Sequence, residues 1–490
     1  MAELFEAKFL EKTAGEWEAE LEASGLPAAK IQSWPEWFKD KDAKNARIVA
    51  DVDGLDYPQL GRTAWLRSVG EYPNLKALET AASLLKDGSG LKFGSGSAAA
   101  RPLEGVVLAD FANVIAGPAC GRMFAELGAT VYKMGPGLPQ HGPMVMMVWQ
   151  AELHQGKKSI ILDAKKPDAK KVITKMLQKA DIVLLNKMDN QLVQLGLNRE
   201  SLDIVNKKAI LVQLKSHAGE RYDYKSNWNG YDPALQGKTG LMTRFGPPGC
   251  PNFHGVASCV DYLTGYMAAW GALAGLYARE ANGLDQGDWV QSSLAVCASL
   301  TQLDLQVKEP PATAVGCHAT GMTPYNRVFK VGSGKYIYGQ APEGTDIDAL
   351  ITKLSTLDQS AAIAHFDSAF GKLAVPVQTV KEIAEICSDG ASITADFKKK
   401  NAGQGWLVET WEPTWFCFDG KPFSCLSPPT FSGSDAPQVL AELGYSKSEV
   451  MGLQQSRAVV PTNWYKWGEN DTLMRGPSVA QVDLLEEGLE

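Results

Sequence analysis

No Cys-x-x-Cys pair occurs among the eight cysteines, and no set of cysteines and histidines has zinc-ligand spacing. The sequence therefore predicts free thiols in a reducing compartment and no metal. The six histidines are scattered, and each reads as structural before catalytic. Positive charge is not in excess: 48 Lys and Arg stand against 56 Asp and Glu, a net charge of -8. That removes the reason to expect nucleic acid as a partner, while a small anionic ligand on a local basic patch stays open. A convincing membrane span is also missing. The best candidate, "VASCVDYLTGYMAAWGALAGLY" at 256–277, is short beyond Asp261 and dense in Gly and Ala, so it reads as a buried core helix. The first residues, "MAELFEAKFLEKTAGEWEAELEASG", are charged and predict one amphipathic helix, not a signal peptide. The expected location is cytoplasmic, with an organelle matrix as the alternative.

What remains is a 490-residue chain of ordinary globular composition, 45% hydrophobic and 21% charged, long enough for more than one lobe. "LKDGSGLKFGSGSAAARPLEG" reads as a flexible linker. After it, "GVVLADF", "ATVYKMG", "SIILD", "DIVLLN" and "KAILVQLKS" read as strands. "AGPACGRMFAELG", opened by Gly-Pro and closed by Gly128, and "KPDAKKVITKMLQKA" read as helices between them. This alternation predicts an α/β fold with an open, doubly wound, Rossmann-like parallel sheet. "PYNRVFKVGSGKYIYGQ" predicts a hairpin opening a smaller α+β lobe. The expected division is an N-terminal extension at 1–84, a linker at 85–102, a large lobe at 103–310, a small lobe at 318–428, return helices at 429–460 and a tail at 461–490. "ASGLPAAKIQSWPEW" echoes "FGKLAVPVQTVKEI": in each, an apolar strand with a proline is expected to lead into a helix.

The ordered set "RPLEGVVLADFANVIAGPACGRMFAELGATVYKM", "GKKSIILD", "ADIVLLN", "AILVQLKSHAG" and "VDYLTGYMAAWGALAGLYAREANGLDQGDWVQSSL" resembles the class III CoA-transferases, the family of formyl-CoA and carnitine CoA-transferases. The resemblance spans roughly 101–294 and loosens beyond. It implies an enzyme that moves coenzyme A from an acyl-CoA donor to a small carboxylic acid acceptor, working as an interlocked-ring homodimer. Asp261 would be the nucleophile, forming an aspartyl anhydride and then an aspartyl-CoA thioester. CoA would lie across the carboxyl edge of the sheet, against Val114, Ile115 and Ala116 and near Lys157, Lys158, Asn186, Lys215, His217 and Leu294. The segment before the linker resembles the family's C-terminal portion, as in tandem-module relatives such as the dimethylsulfoniopropionate CoA-transferase/lyase.

Departures accompany the resemblance. Lys187 stands where formyl-CoA transferases carry an aromatic, Gln194 where they carry an arginine, and "KMGPGLPQH" lacks their arginine near Pro136. A racemase acting on α-methylacyl-CoA is an alternative, but its His-Asp pair is matched here by "NWNGYDPALQG", without histidine. A non-catalytic scaffold is a third reading, in which Asp261 is only a helix cap. Trp228, Tyr231, Tyr262, Tyr266 and Trp270 could together hold an onium group on the acceptor.

Overall fold

The computed structural model describes residues 2–51, 56–69, 101–136, 152–221, 225–246, 249–254, 258–303, 320–321, 323–377, 398–401, 408–411, 416–418, 421–423, 426–427, 429–430 and 432–460. Most of the linker expected at 85–102, the tail at 461–490 and much of the segment joining the lobes lie outside these residues.

The single helix expected at the start is two, α1 (Ala2–Phe9) and α2 (Ala14–Ala23). Thr13 breaks them. Its hydroxyl accepts from the Glu16 N–H, while the Glu16 carboxylate accepts the Thr13 N–H, a reciprocal cap that starts a new helix. Next come α3 (Trp34–Lys39), α4 (Lys41–Asn45), β1 (Val49–Ala50), β2 (Gln59–Leu60) and β3 (Ala64–Leu66). No strand forms before α3: residues 26–33 run irregularly, and the Gln32 N–H donates to the Gly237 carbonyl at 3.0 Å. The expected echo thus fails in its first copy, because this stretch binds a helix end instead of a strand.

The large sheet contains β3, β4 (Val107–Asp110), β5 (Thr130–Pro136), β6 (Lys157–Leu162), β7 (Ile182–Leu185), β8 (Ile210–Lys215) and β9 (Trp289–Ser293). Its order is β3-β9-β8-β7-β4-β5-β6, parallel throughout except for β3 against β9. β7 and β8 are buried at every position, as strands covered on both faces must be. The chain runs outward from β4 to β5 and β6, then returns to lay β7 on the other side of β4. The carboxyl ends of β4 and β7 therefore form the switch point, where open α/β sheets leave a crevice.

Helices α5 (Ala116–Glu126), α6 (Pro167–Lys179), α7 (Asp189–Leu195) and α8 (Arg199–Asn206) link these strands. α9 (Asp232–Lys238), α10 (Leu241–Phe245) and α11 (Cys259–Ala281) precede β9, and α12 (Leu294–Leu300) follows it. α11 buries its small residues Gly265, Ala268, Ala269, Gly271, Ala272 and Gly275. Among the described residues no helix is long and apolar enough to cross a membrane.

β10 (Asn326–Lys330) and β11 (Tyr336–Gln340) form the expected hairpin. α13 (Ile347–Leu354) and α14 (Gln359–Phe370) pack on it, and β12 (Ala374–Val377) adds a third strand. Finally α15 (Ala436–Glu442) and α16 (Lys447–Gln455) share a core with Ala109, Tyr132 and Ile160 of the large sheet.

The N-terminal segment is part of the large core. Trp34, Trp37, Ile48 and Trp65 are buried together with Val212, Ala268 and Val290. The Trp37 indole donates to Ser299 Oγ at 2.8 Å and the Trp65 indole to Gln291 Oε1 at 3.0 Å. Buried ion pairs join the same surfaces: Lys238 with Glu18 at 2.6 Å and Lys225 with Asp42 at 2.5 Å.

Candidate active site

α11 opens without a side-chain cap of its own. Ser258, just before it, has φ 41°, in the left-handed region. The missing cap comes from another helix. Asp232, the first residue of α9, is buried, and its Oδ2 accepts the N–H of Val260 at 2.9 Å and of Asp261 at 3.0 Å. The Asp261 carboxylate therefore does not cap the helix. Among the described residues it has no hydrogen-bond partner, and it is half-buried. Its carboxyl is pushed up to about 8, chiefly by burial and then by the negative charge of Asp232. The helix start does not hold this carboxylate ionised, because Asp232 already occupies those N–H groups. Asp232 itself is raised by burial, against the lowering effect of its N–H donors.

The loop between β4 and α5 lies beside α11. Val114 has φ 66°, which a β-branched residue adopts only under strong constraint. The constraint is visible. Asn186, just past β7, accepts the Asn113 N–H at 2.9 Å and donates to the Asn113 carbonyl at 2.6 Å. Ile115 packs with Ala119 and Leu153, and Val114, Tyr262 and Tyr266 lie against them. A Cβ on Gly265 would stand 2.4 Å from the Ala116 carbonyl oxygen, so α11 and α5 meet there without space for a side chain. Val114, Ile115, Ala116 and Asn186 thus gather at the carboxyl edge, where Ala116 meets Gly265, one helical turn beyond Asp261.

Other expected contacts are turned inward. Lys157 is enclosed, its ammonium held by Asp110 at 2.8 Å and by the Pro118 carbonyl at 2.7 Å. Lys158, on the opposite strand face, reaches Glu442 at 2.6 Å. Lys215 is buried against Asp189 at 3.1 Å, and burial lowers its pKa. His217 is buried and driven down to about 3 by desolvation, with Trp228 edge-on at 5.7 Å and Glu22 of α2 at 3.8 Å. Leu294 lies in the core at the start of α12, which Ser293 caps. In this structure each of these five side chains pairs with or packs against the protein itself.

The aromatic set does not form a cage either. The Lys225 ammonium sits 3.4 Å from the Trp228 ring centroid, the Tyr262 hydroxyl donates to Glu152 at 2.5 Å, and Trp270 is exposed further along α11. Asp232 was missed from the sequence. Its signal is an Asp-Pro pair at the head of a small-residue helix, a common helix start that says nothing about a second helix.

Residues 103–403 match the model of CoA-transferase family III, more than half of the chain. The chain belongs to that family. Among family relatives, the CoA-transferase/lyase DddD of a Marinomonas species is 26% identical over 392 residues, which is 75% of this chain and 46% of that protein. The succinate–glutarate CoA-transferase of Agrobacterium fabrum is 29% identical over 247 residues, 46% of this chain and 60% of that one. The chain thus spans about half the length of the curated family III relatives it matches. A CAIB/BAIF family protein from Brucella suis superposes with a TM-score of 0.55 at 22% identity, over 70% of this chain and 99% of that one, a likeness of fold.

Carboxyl ionisation gives a first prediction. A nucleophilic role for Asp261 would require its anion, and kcat/KM would then be expected to rise with pH through about 8. Asp232→Asn removes the like charge yet keeps an oxygen to accept both N–H groups, so the rise should move to lower pH. Profiles of the two proteins check this; superimposable profiles would show that Asp232 does not set the ionisation of Asp261.

Proposed function

We propose that this protein transfers CoA from an acyl-CoA to a carboxylic acid, with Asp261 as nucleophile. The observation that carries the reading is a half-buried carboxyl at the head of α11, without a hydrogen-bond partner among the described residues, beside the loop at the sheet's carboxyl edge. A carboxylate stripped of water is a better nucleophile than a solvated one. An Asp261 oxygen attacks the thioester carbonyl and the CoA thiolate leaves, giving a mixed anhydride. The thiolate then attacks the aspartyl carbonyl, expelling the donor acid as its carboxylate and leaving an aspartyl-CoA thioester. The acceptor carboxylate repeats the sequence in reverse. A second mixed anhydride forms, the thiolate attacks the acceptor carbonyl, and the Asp261 carboxylate is regenerated.

Membership of family III and the transferase names of its relatives support this reading over racemisation. The residue before Asp232 is Tyr231, not histidine. The working unit is proposed to be a homodimer of interlinked rings. Incubation with succinyl-CoA or acetyl-CoA and a panel of acids should yield new acyl-CoA species by mass spectrometry. Exchange of the α-proton without CoA transfer would overturn the reading in favour of a racemase. A monomeric mass in light scattering would remove the dimer.

A further inference from the structure

At the switch point the charges do not balance. Asp110, at the end of β4, is fully buried and faces Lys157 at 2.8 Å and Lys133 at 3.4 Å. The Lys133 ammonium also donates to the Ala112 carbonyl. Lys187, just past the end of β7, is half-buried. With the Asn113 amide oriented to satisfy both its groups, its oxygen accepts from Lys187 Nζ at 3.0 Å and its nitrogen donates to the Ala112 carbonyl at 3.3 Å. Lys187 has no carboxylate partner among the described residues, and burial and the neighbouring Lys133 lower its pKa. His154, close to Lys157 and Asp110, is held well below its ordinary range by burial and is neutral. Three ammonium groups, Lys133, Lys157 and Lys187, thus stand against one carboxylate, Asp110, in a protein whose net charge is -8.

The backbone around Lys187 is fixed. Its carbonyl accepts from Gln213 Nε2 at 2.9 Å, and the neighbouring Asn186 is locked to Asn113. An ammonium held this way, partly out of water and lacking a counter-charge, is unfavourable unless an anion joins it.

We propose that the crevice between the ends of β4 and β7 is a phosphoanion subsite in which Lys187, backed by Lys133, receives a phosphate group of the acyl-CoA. This rests on the transferase reading only for the identity of the ligand. The charge imbalance is a property of the fold itself. Lys187 is then a feature of this chain and not merely the loss of an aromatic ring.

The test uses the full chain, its Lys187→Met variant and Lys187→Arg, with titration calorimetry against CoA, 3′-dephospho-CoA, pantetheine and inorganic pyrophosphate. Loss of one charge-assisted contact should weaken CoA roughly 10- to 100-fold in Lys187→Met, and Lys187→Arg should restore most of it. Pantetheine, which lacks phosphate, should bind both proteins alike. If 3′-dephospho-CoA is weakened as much as CoA, the subsite holds the diphosphate; if only CoA is weakened, it holds the 3′-phosphate. Wild-type affinity should fall with rising salt, and the variant's less steeply. Removing an unbalanced ammonium should leave the melting temperature of Lys187→Met unchanged or raised, so folding does not confuse the result. Equal CoA affinity in the folded variant and wild type would overturn the subsite. A wild-type protein that binds pyrophosphate through Lys187 but not CoA would keep the subsite and reject the transferase reading.

Discussion

Asp261→Asn is expected to abolish CoA transfer, a fall of roughly 10³-fold or more, with the fold and CoA binding intact. The side chains have nearly the same shape, and Asp232 caps the helix whichever one follows. Only the carboxylate proposed to attack disappears. Stability should move the other way. Because the Asp261 carboxyl is raised to about 8 in the folded protein, its contribution is present below the unfolded carboxyl range, declines as pH climbs, and is gone above about 8. The Asn variant should therefore melt at or above the wild-type temperature under alkaline conditions. Chemical trapping tests the same residue independently. Enzyme treated with acyl-CoA and then hydroxylamine should carry a hydroxamate that peptide mass mapping places at Asp261. An active Asn variant, or a hydroxamate on another residue, would rule out the assignment.

The second large effect concerns the N-terminal segment. Deleting residues 2–69 should leave no folded soluble protein, because it removes an edge strand of the main sheet and three buried tryptophans. It also removes Glu18 and Asp42, the carboxylates that face the buried Lys238, and stripping a buried charge of its partners is strongly destabilising. A milder variant keeps the experiment readable: Trp37→Ala should cost about 3–5 kcal/mol in denaturant unfolding while CoA turnover per folded molecule changes little. A deletion protein that folds but does not turn over would mean that the segment completes the site. One that folds and works would mean that the segment is dispensable.

What could be read in the sequence followed from local pattern. The apolar runs of β4, β7 and β8 announce buried parallel strands, and Gly128 closes α5 with φ 96°. The carboxyl edge comes from that same order, whereas Asp261 as nucleophile is implied by the family resemblance alone. What local pattern does not carry is tertiary. Lys157 and Lys215 end their reach at Asp110 and Asp189, partners 47 and 26 residues away. No spacing rule shows that an ammonium at a strand end points inward. β3 has only three residues, too few for alternation to register. Asp232 caps a helix that begins 27 positions later, so neither helix start betrays the other. By contrast, the cap at Thr13 is written in the sequence as Thr-x-x-Glu, although the charge pattern runs on through it.

The glycine contact between α11 and α5 carries one more consequence. With Gly265 seated on the Ala116 carbonyl, the rotational setting of α11 is fixed four residues beyond Asp261. Each residue of an α-helix turns the chain by about 100°. Inserting one alanine between Asp261 and Gly265 would keep the seat and swing the carboxyl about a quarter-turn away from the β4–α5 loop. The same insertion after Gly275 would leave its bearing unchanged. The bearing of the Asp261 carboxyl is thus stored in a count of residues from a point of backbone contact, and an insertion of one within that count erases it without altering any neighbouring side chain.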